Sequence, residues 1–420
     1  MKIFVIEPHT RTPGHFEEQA VGTCRAFVSL KNEVTLVTYG GISKDHAGET
    51  LPFVVADAAP NGAKNLEARR TKAKPEADSF RAFLRREIQE YRTFRLALAL
   101  LDREETCIMH FYYGDPLLLF LTLNADLIFR GKRQTARPLV VLTIHEISRL
   151  DPSTDFRRRV FRWIFRQCLG RLIRHDLEGI AVFDPALRSE IIDRFKLNTE
   201  TSERIRILPY GIEATTEWIG RPEARHRLSL DPVENIFLIF GVLRSEKRID
   251  LAIEAIKGLR QCRLIIAGEA RDFGEAKILD LAHKNGCEGS VTIQTGYISK
   301  QRMHEYFAAS DAVMIPYAKS FRGLSAILPL AYSHGRCVIG TDVGQLGPAV
   351  REQRTGIVVA PDDFSELRRG IFAFLSLTAE EREQMERRAL TIARRYRWDL
   401  ICGAWVDFYR DLLDRRTLPS

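Results

Sequence analysis

The stretch AVMIPYAKSFRGLSAILPLAYSHGRCVIGTDVGQLG, residues 312–347, decides the fold of this chain. A short apolar segment, Ala312–Ile315, is followed by a polar and basic loop, Ala318–Gly323. A helix-compatible segment comes next and ends at Gly335, before a second apolar segment, Cys337–Gly340. Strand, loop, helix and strand in this order predict a βαβ unit of a parallel sheet.

The loop of this unit has the features of a phosphate-binding turn. Ligands of parallel sheets lie beyond the carboxyl ends of the strands, where the helices begin. The backbone N–H groups of Gly323–Ala326 are the expected unbonded donors of the helix start, with the positive end of the helix dipole behind them. Lys319 and Arg322 add positive charge. A phosphate site is therefore predicted, and an ordinary βα connection with a basic surface loop is the alternative.

Length and composition indicate a globular protein of two domains. The chain has 420 residues, of which 45% are hydrophobic and 28% are charged. No apolar run is long enough to span a bilayer, and the N-terminus passes into a strand without a signal-peptide pattern. Seven cysteines without a CxxC spacing argue against a disulfide framework and a zinc site. We therefore expect a reducing, cytoplasmic environment.

Strand-like and helix-like segments alternate along the whole chain, in two successive series. The predicted strands are Lys2–Glu7, Val34–Tyr39, Cys107–Phe111, Leu139–His145, Gly179–Phe183, Ile205–Pro209, Ile236–Leu243, Arg263–Ala267, Val291–Gln294, Ala312–Ile315, Cys337–Gly340 and Ile357–Val359. The segment Gly211–Pro232, with two prolines and two glycines, is the predicted linker. The two series predict an α/β protein with two doubly wound, Rossmann-like parallel-sheet domains facing a cleft.

Glycines and cations follow several predicted strands of the second series. Gly241 ends one strand, and Arg244 and Lys247 follow it in the loop before a helix. Because all strand carboxyl ends of a parallel sheet lie on one edge, these cations could face the predicted phosphate site. Gly268 with Glu269, and Gly296 with Tyr297 and Ile298, end two further strands where a backbone could approach a flat ligand.

The motifs in this order resemble a known family. GVLRSEK, RLIIAGE, VTIQTGYI, YFAASDAVMIPY, LPLAYSHGRCVIGTDVG and TGIVVAPDD resemble the C-terminal domain of retaining glycosyltransferases of family 4, which have the GT-B fold. The resemblance is strong from Ile236 to Phe374 and weaker earlier. YRWDLICGAWVDFY resembles the family's terminal helix, which returns to the first domain. The resemblance implies an acceptor-side domain at 1–212, a donor domain at 213–395 and a returning helix at 396–420.

The resemblance also implies an activity. A sugar would pass from a UDP-, GDP- or ADP-sugar to a glycan or lipid-linked acceptor, with retention at the anomeric carbon and without a cofactor or an obligatory metal. The acceptor hydroxyl would attack on the side from which the nucleotide leaves, and a donor phosphate oxygen would take its proton. Cell-envelope or polysaccharide synthesis is the implied setting. A catalytically silent homologue that serves as a partner or scaffold subunit is the alternative.

Site residues follow from the matched motifs. Lys247 falls on the family's cation that holds the donor diphosphate, and Arg244 matches the companion arginine of one branch. His145 falls on the histidine that faces the donor sugar, although its strand-end position is equally compatible with an interior histidine. The other implied binding residues are Gly14, Gly241, Gly268, Glu269, Tyr297, Ile298, Arg322, Gly323, Leu324, Ser325 and Ala326.

One departure from the family concerns its pair of glutamates, which are separated by seven residues. Alignment through Gly335 places Arg322 and Leu330 at these positions. In the family the second glutamate binds the ribose and the first contacts the sugar. Ser325 fits a branch that lacks the pair. We expect Leu330 on the buried face of its helix, with the ribose met by backbone, water or a neighbouring polar residue such as Ser325.

A basic segment, Asp155–His175, predicts an amphipathic helix. Its arginines surround an apolar stripe that includes Phe161, Ile164 and Phe165. Such a helix can lie on an anionic membrane surface, and the alternative is a domain helix whose apolar face packs on the sheet. A nucleic-acid partner is not predicted, because only the pI of about 9.1 would support one.

Overall fold

The computed structural model describes residues 1–10, 15–42, 50–59, 80–100, 106–112, 118–123, 137–145, 147, 156–212, 219–322 and 325–417. The chain divides into two compact units. The first unit comprises Met1–Gly211 together with Trp398–Ser420, and the second comprises Ile212–Arg397.

The first unit contains a seven-stranded parallel sheet in the order β3-β2-β1-β4-β5-β6-β7. Its strands are β1 (Lys2–Ile6), β2 (Glu33–Thr38), β3 (Val54–Asp57), β4 (Cys107–Phe111), β5 (Leu139–Thr143), β6 (Gly179–Val182) and β7 (Ile205–Ile207). Its helices are α1 (His15–Ser29), α2 (Phe80–Ala99), α3 (Leu118–Leu123), α4 (Phe156–Arg171), α5 (Pro185–Phe195) and α6 (Thr199–Glu203). A turn of π-helix, Leu172–Asp176, extends α4.

The second unit contains a six-stranded parallel sheet in the order β10-β9-β8-β11-β12-β13. Its strands are β8 (Asn235–Phe240), β9 (Cys262–Gly268), β10 (Val291–Thr295), β11 (Ala312–Ile315), β12 (Cys337–Thr341) and β13 (Gly356–Val359). Its helices are α7 (Arg221–Arg227), α8 (Ile249–Ala255), α9 (Glu275–Asn285), α10 (Lys300–Ala309), α11 (Ile327–Ser333), α12 (Leu346–Gln353), α13 (Phe364–Leu375) and α14 (Ala379–Arg395). The last helix, α15 (Trp398–Thr417), belongs to the first unit.

Burial of both sheet faces explains why these strands read as continuous apolar runs. Every residue of β4, β5, β11 and β12 is buried. Each sheet has an apolar cluster on either side, because successive side chains of a strand point to opposite faces. The predicted α/β architecture with two doubly wound parallel sheets is confirmed.

All twelve predicted strands are present, with ends that differ by at most three residues. The strand β3 was not predicted. It is a four-residue edge strand whose side chains are exposed or half-buried, so it lacks the apolar pattern of the buried strands. Within the described residues, no helix combines the length and the apolar character needed to cross a bilayer.

Trp398 anchors the returning helix α15 in the first unit. Its indole ring is buried against Gly22 of α1 and against Gly211, the last residue before the chain leaves this unit. A Cβ atom at either glycine would lie closer than 3.0 Å to the ring. The absence of a side chain at both positions therefore makes room for the ring. Trp405 strengthens the anchor through an indole N–H that donates to the Pro209 carbonyl at 3.3 Å.

We expect Gly22→Ala to destabilise the protein by about 1–2 kcal/mol, because a methyl group forced into a packed core costs more than the helix propensity gained. The matched control is Gly403→Ala in α15, where a Cβ would meet nothing within 4 Å. That change should stabilise by about 0.5–1 kcal/mol. Denaturant unfolding of both variants measures the two effects, and stabilisation by Gly22→Ala would contradict the packing described for Trp398.

Candidate functional site

The second sheet changes its direction of growth between β8 and β11. The chain runs outward from β8 through β9 to β10, then returns to add β11 on the other side. In doubly wound sheets ligands bind at the carboxyl ends of the two strands that flank such a point. A narrow recess lies there, lined by Ile239, Phe240, Lys247, Met314, Ile315, Pro316, Tyr317 and Ile327.

Lys247 supplies the charge of this recess. It ends a 3₁₀ turn, Ser245–Lys247, that follows β8, and its side chain is buried. Its ammonium group donates to the Phe240 carbonyl at the end of β8. Burial, and secondarily the positive charge of Arg244, lower the pKa of Lys247 to about 7. Because an ammonium has three donors, an anion bound here would both satisfy it and raise its pKa.

Two glycines allow the strand ends to approach each other and the lysine. Gly268 ends β9 with φ of +146°, and a Cβ there would collide with the carbonyl group of Gly241. Gly241 follows β8 with φ of +90°, and a Cβ there would lie 3.1 Å from the Lys247 ammonium nitrogen. A larger residue at 268 would push the two strand ends apart, and one at 241 would crowd the ammonium group.

The loop after β11 is fixed by hydrogen bonds on three sides. The Tyr317 carbonyl accepts from the Thr341 hydroxyl at 2.7 Å, and the Tyr317 and Ser325 hydroxyls lie 3.2 Å apart. The Ala318 N–H donates to the Glu246 carbonyl at 2.8 Å, which ties this loop to the 3₁₀ turn of Lys247. The two segments that border the recess are therefore held together.

The predicted start of the following helix was wrong in one respect. Helical structure was expected from Gly323 onward, whereas α11 begins at Ile327. Pro329 explains the difference, because proline has no N–H and is accommodated only in the first turn of a helix. Ser325 and Ala326 therefore precede the helix, with Ala326 as its N-cap. Gly323 and Leu324 lie outside the described residues.

The other predicted residues of the second unit are distributed along the carboxyl edge of its sheet. Glu269 and Tyr297 are exposed, and Ile298 is half-buried against the core. Arg244 and Arg322 are exposed, whereas Ser325 is buried with its hydroxyl against Tyr317.

Leu330, expected on a buried face, is half-buried and packs against the apolar cluster of this unit. It is therefore not sealed in the core. Its helix ends with Gly335 at φ of +62°, as the sequence predicts.

His145 belongs to the first unit, where it is half-buried just beyond the end of β5. Its Nε2 lies 3.0 Å from the Tyr112 carbonyl, and its ring packs at 5.0 Å from the ring of Phe183. Burial lowers the pKa of His145 to about 4, although the bond to Tyr112 opposes this. The imidazole is therefore neutral at pH 7. Gly14 lies outside the described residues.

A buried acidic group at the first sheet was missed by the sequence analysis. Glu7 follows β1, which with β4 flanks the point where this sheet reverses its growth. Its Oε1 accepts from the His9 N–H at 2.9 Å, and its Oε2 is buried without a hydrogen-bond partner among the described residues. The His9 ring pairs with the buried Glu90 of α2 at 3.6 Å. The only available sign was an acid directly after an apolar strand.

Burial raises the pKa of Glu7 to about 7, and the nearby Glu90 adds to the shift while His9 opposes it.

Tyr317, which lines the recess of the second unit, was also missed by the sequence analysis. Its sign was an aromatic residue directly after Pro316, in the segment quoted at the outset.

Comparison with known proteins finds glycosyltransferases. The family model described as Glycosyl transferases group 1 matches residues 234–376. The D-inositol 3-phosphate glycosyltransferase of Xylanimonas cellulosilytica is 26% identical over 261 residues, which are 59% of this chain and 61% of the relative. That of Acidothermus cellulolyticus is 30% identical over 235 residues, which are 52% and 50%. The chain thus spans about half to three-fifths of the length of these curated relatives.

Solved structures are similar over nearly the whole chain. Sucrose-phosphate synthase from Thermosynechococcus elongatus superposes with a TM-score of 0.72 at 17% identity, covering 99% of both chains. Anabaena HepE in complex with UDP and glucose gives a TM-score of 0.68 at 16% identity, covering 98% of this chain and 100% of the other. At these identities the likeness shows the fold, and the GT-B fold is confirmed.

We expect Glu7→Gln to stabilise the protein at pH 8 and to change its stability little at pH 5. The pKa of Glu7 in the folded protein, about 7, lies above the ordinary glutamate value of 4.5, so ionisation opposes folding. The stability that protonated Glu7 contributes is complete below the pKa of Glu7 in the unfolded chain. It is lost as pH rises through the pKa of Glu7 in the folded protein. The difference amounts to about 3 kcal/mol.

The free energy of unfolding of the two proteins at pH 5 and pH 8 tests this dependence. Glu33→Gln is the control, because the Glu33 side chain is 69% exposed and its replacement should have a small effect at both pH values. An equal effect of Glu7→Gln at pH 5 and pH 8 would show that Glu7 titrates normally.

Proposed function

We propose that this protein is a retaining glycosyltransferase that transfers a sugar from a nucleoside diphosphate sugar, and that the donor binds in the second unit. The observation that carries the proposal is the buried ammonium of Lys247 beside Arg244, at the carboxyl edge of the sheet and within the segment that matches the glycosyltransferase model. Lys247 has no carboxylate partner among the residues that the structure describes, and a buried cation of this kind suits an anionic ligand such as a diphosphate.

The proposed chemistry needs little more than placement and charge. As the bond to the donor sugar breaks, negative charge grows on the diphosphate. Lys247 and Arg244 stabilise that charge from fixed positions, which is effective because little reorganisation is needed. The acceptor hydroxyl attacks on the face that the nucleotide leaves, and a donor phosphate oxygen takes its proton. No obligatory metal takes part in this scheme.

The names of the similar proteins support sugar or sugar-phosphate chemistry for the acceptor. They include D-inositol 3-phosphate glycosyltransferases, a sucrose-phosphate synthase and a protein bound to UDP and glucose. We propose a UDP-, GDP- or ADP-sugar as donor, a glycan or lipid-linked acceptor, and a role in cell-envelope or polysaccharide synthesis. Arg322 and Leu330 replace the glutamate pair, so a catalytically silent homologue is the alternative. Nucleotide binding without sugar transfer would support that alternative.

We expect UDP, GDP or ADP to stabilise the protein, by about 2.7 kcal/mol at 100 times its Kd. Affinity should fall as pH rises from 7.5 to 9, by up to about tenfold per pH unit, because the free protein loses the Lys247 proton with a pKa of about 7. A phosphate group loses its last proton at about pH 6, so the diphosphate is mostly ionised in this range and the dependence reports mainly the protein. Calorimetry should detect proton uptake on binding at pH 8.

Lys247→Met should weaken binding and remove its pH dependence. Lys284→Met is the matched control, because Lys284 is exposed and lies near the end of α9, at the amino edge of the sheet. The Lys284 variant should bind as the wild type does. Failure of all three nucleotides to bind the wild type would reject the donor site.

A second partner is suggested by the surface of α4. Phe165, Cys168 and Leu169 are buried, as expected for packing on the sheet. The expected apolar stripe is corrected at Ile164, which is 39% exposed, and Trp163 is 63% exposed. Arg159 and Arg166 are exposed on this helix and Arg162 is half-buried, and the helix contains no acidic residue. We propose that the face of α4 around Trp163 and Ile164 lies on the anionic inner surface of a membrane. Exposed tryptophan suits the headgroup region, and arginines are attracted by the negative charge of the lipids.

Co-sedimentation with vesicles tests the membrane proposal. Binding to anionic vesicles should decrease with salt, since exposed charges are screened, and should fall in Trp163→Ser and in a triple Arg→Gln variant at 159, 162 and 166. A triple Arg→Gln variant at 387, 394 and 395 on α14 removes the same charge elsewhere and should bind normally. Equal binding to neutral vesicles, or none to either, would leave α4 with its packing role alone.

A further inference from the structure

We propose that the Tyr317 hydroxyl donates a hydrogen bond to the phosphate group that Lys247 binds, and that Ser325 is the positioning residue for this hydroxyl. The inference rests on the proposed donor site and adds to it a binding residue that the sequence analysis missed. Among the described residues that line the recess, only Lys247 and Tyr317 have side chains that can donate a hydrogen bond.

The position of the Tyr317 hydroxyl is fixed by contacts around the whole residue. Tyr317 is buried, and its carbonyl accepts from the Thr341 hydroxyl at 2.7 Å. Its ring centroid lies 4.1 Å from that of Phe321. At the far end of the ring, the hydroxyl lies 3.2 Å from the Ser325 Oγ. These contacts hold the ring and place its hydroxyl beside Ser325, two residues before α11 begins.

The start of α11 also borders the ammonium group of Lys247. A Cβ atom at Gly241 would lie 3.1 Å from the Lys247 Nζ and 3.2 Å from the Ile327 Cδ1, so both side chains reach the end of β8. Ile327 is the first residue of α11 and lines the recess. Ser325 precedes it by two residues, a Cα separation of at most about 7 Å. The hydroxyl pair and the ammonium group therefore border the same end of the recess.

The Tyr317 and Ser325 hydroxyls have one hydrogen more than their contact uses. Each hydroxyl carries one O–H hydrogen, and the bond between them takes one of the two. Among the described residues, neither hydroxyl has another hydrogen-bond partner. Burial raises the pKa of Tyr317, and the bond to Ser325 opposes this only in part, so the phenol keeps its proton at neutral pH. One O–H hydrogen of the pair is therefore available to an acceptor.

An anion in the recess makes Tyr317 the donor of that hydrogen. A phosphate oxygen carries charge, and it accepts a stronger hydrogen bond than a serine hydroxyl does. Tyr317 lines the recess, whereas Ser325 is not among the described residues that line it. Ser325 then donates to the Tyr317 oxygen, which fixes the direction of the phenol and polarises its O–H bond. The ammonium group supplies charge, and the phenol supplies a directed hydrogen bond.

Calorimetry of UDP, GDP and ADP binding tests the inference in the wild type, Tyr317→Phe, Ser325→Ala and the double variant. Tyr317→Phe should weaken binding of the nucleotide that the wild type binds by about tenfold, because a hydrogen bond to a charged group is lost. Ser325→Ala should remain within about threefold of the wild type, because the phenol is still present. The double variant should bind as Tyr317→Phe does.

The matched control is Tyr332→Phe. Tyr332 is a buried residue of α11, and its hydroxyl lies 2.7 Å from that of Thr355, which precedes β13 at the amino edge of the sheet. This change removes the same atom from the same kind of pair, away from the recess, and should leave affinity unchanged. Tyr317→Phe should also keep the decrease in affinity at alkaline pH, because Lys247 is unaltered.

The outcomes separate this inference from the proposed function. Wild-type affinity in Tyr317→Phe would overturn the role of Tyr317 and leave the donor site standing. An equal loss in Ser325→Ala would make serine the donor and likewise overturn it. An equal loss in Tyr332→Phe, or loss of the pH dependence in Tyr317→Phe, would assign the effect to packing and overturn it too. If no nucleoside diphosphate binds the wild type, the proposed function fails, and the inference fails with it.

Discussion

The burial of the Lys247 ammonium is the constraint around which the second unit is arranged. A cation removed from water is costly unless polar groups surround it. Here one carbonyl, at the end of β8, is its hydrogen-bond partner among the described residues. The glycines at 241 and 268 bring two strand ends close enough for this arrangement. The 3₁₀ turn and the loop after β11, joined through Glu246 and Ala318, close the recess from the side. The unit thus holds a partly satisfied cation in a fixed place, which is the requirement for binding an anion with little reorganisation.

The two sheets could be predicted because their strands are buried on both faces, which leaves apolar runs bounded by turn residues. The edge strand β3 could not, since exposed Val54 and Asp57 carry no such pattern. The start of α11 was mispredicted although the sign was present. Because Pro329 must lie in the first turn, the helix can begin at most three residues before it. The residues of the preceding loop are compatible with a helix, and for this reason an earlier start was predicted.

Predictability of the site depends on whether its parts are local in sequence. Gly241, Arg244 and Lys247 lie within one short segment, so their pattern could be seen. The contact between the Tyr317 and Ser325 hydroxyls joins the two ends of a loop. Secondary-structure propensities do not determine the path of that loop, so the contact could not be predicted. Glu7 and Glu90 belong to a strand end and a distant helix, and only the packing of α2 on β1 and β2 brings them close. Pairs of this kind depend on tertiary structure, which residue patterns within one segment do not encode.

Both sheets place an ionisable side chain, away from water, at the point where their growth reverses. The two groups have opposite charge, and burial moves both pKa values to about 7, upward for Glu7 and downward for Lys247. Neither charge contributes stability to the ligand-free fold, because in each case burial disfavours the ionised form. Neutral side chains of similar size would cost less at both positions. An anion bound in the recess would give the Lys247 ammonium further partners. The buried Glu7 carboxyl group is stabilised by protonation, or by a hydrogen-bond donor that reaches its Oε2. At both positions, removal of the charged group from water therefore favours a binding partner.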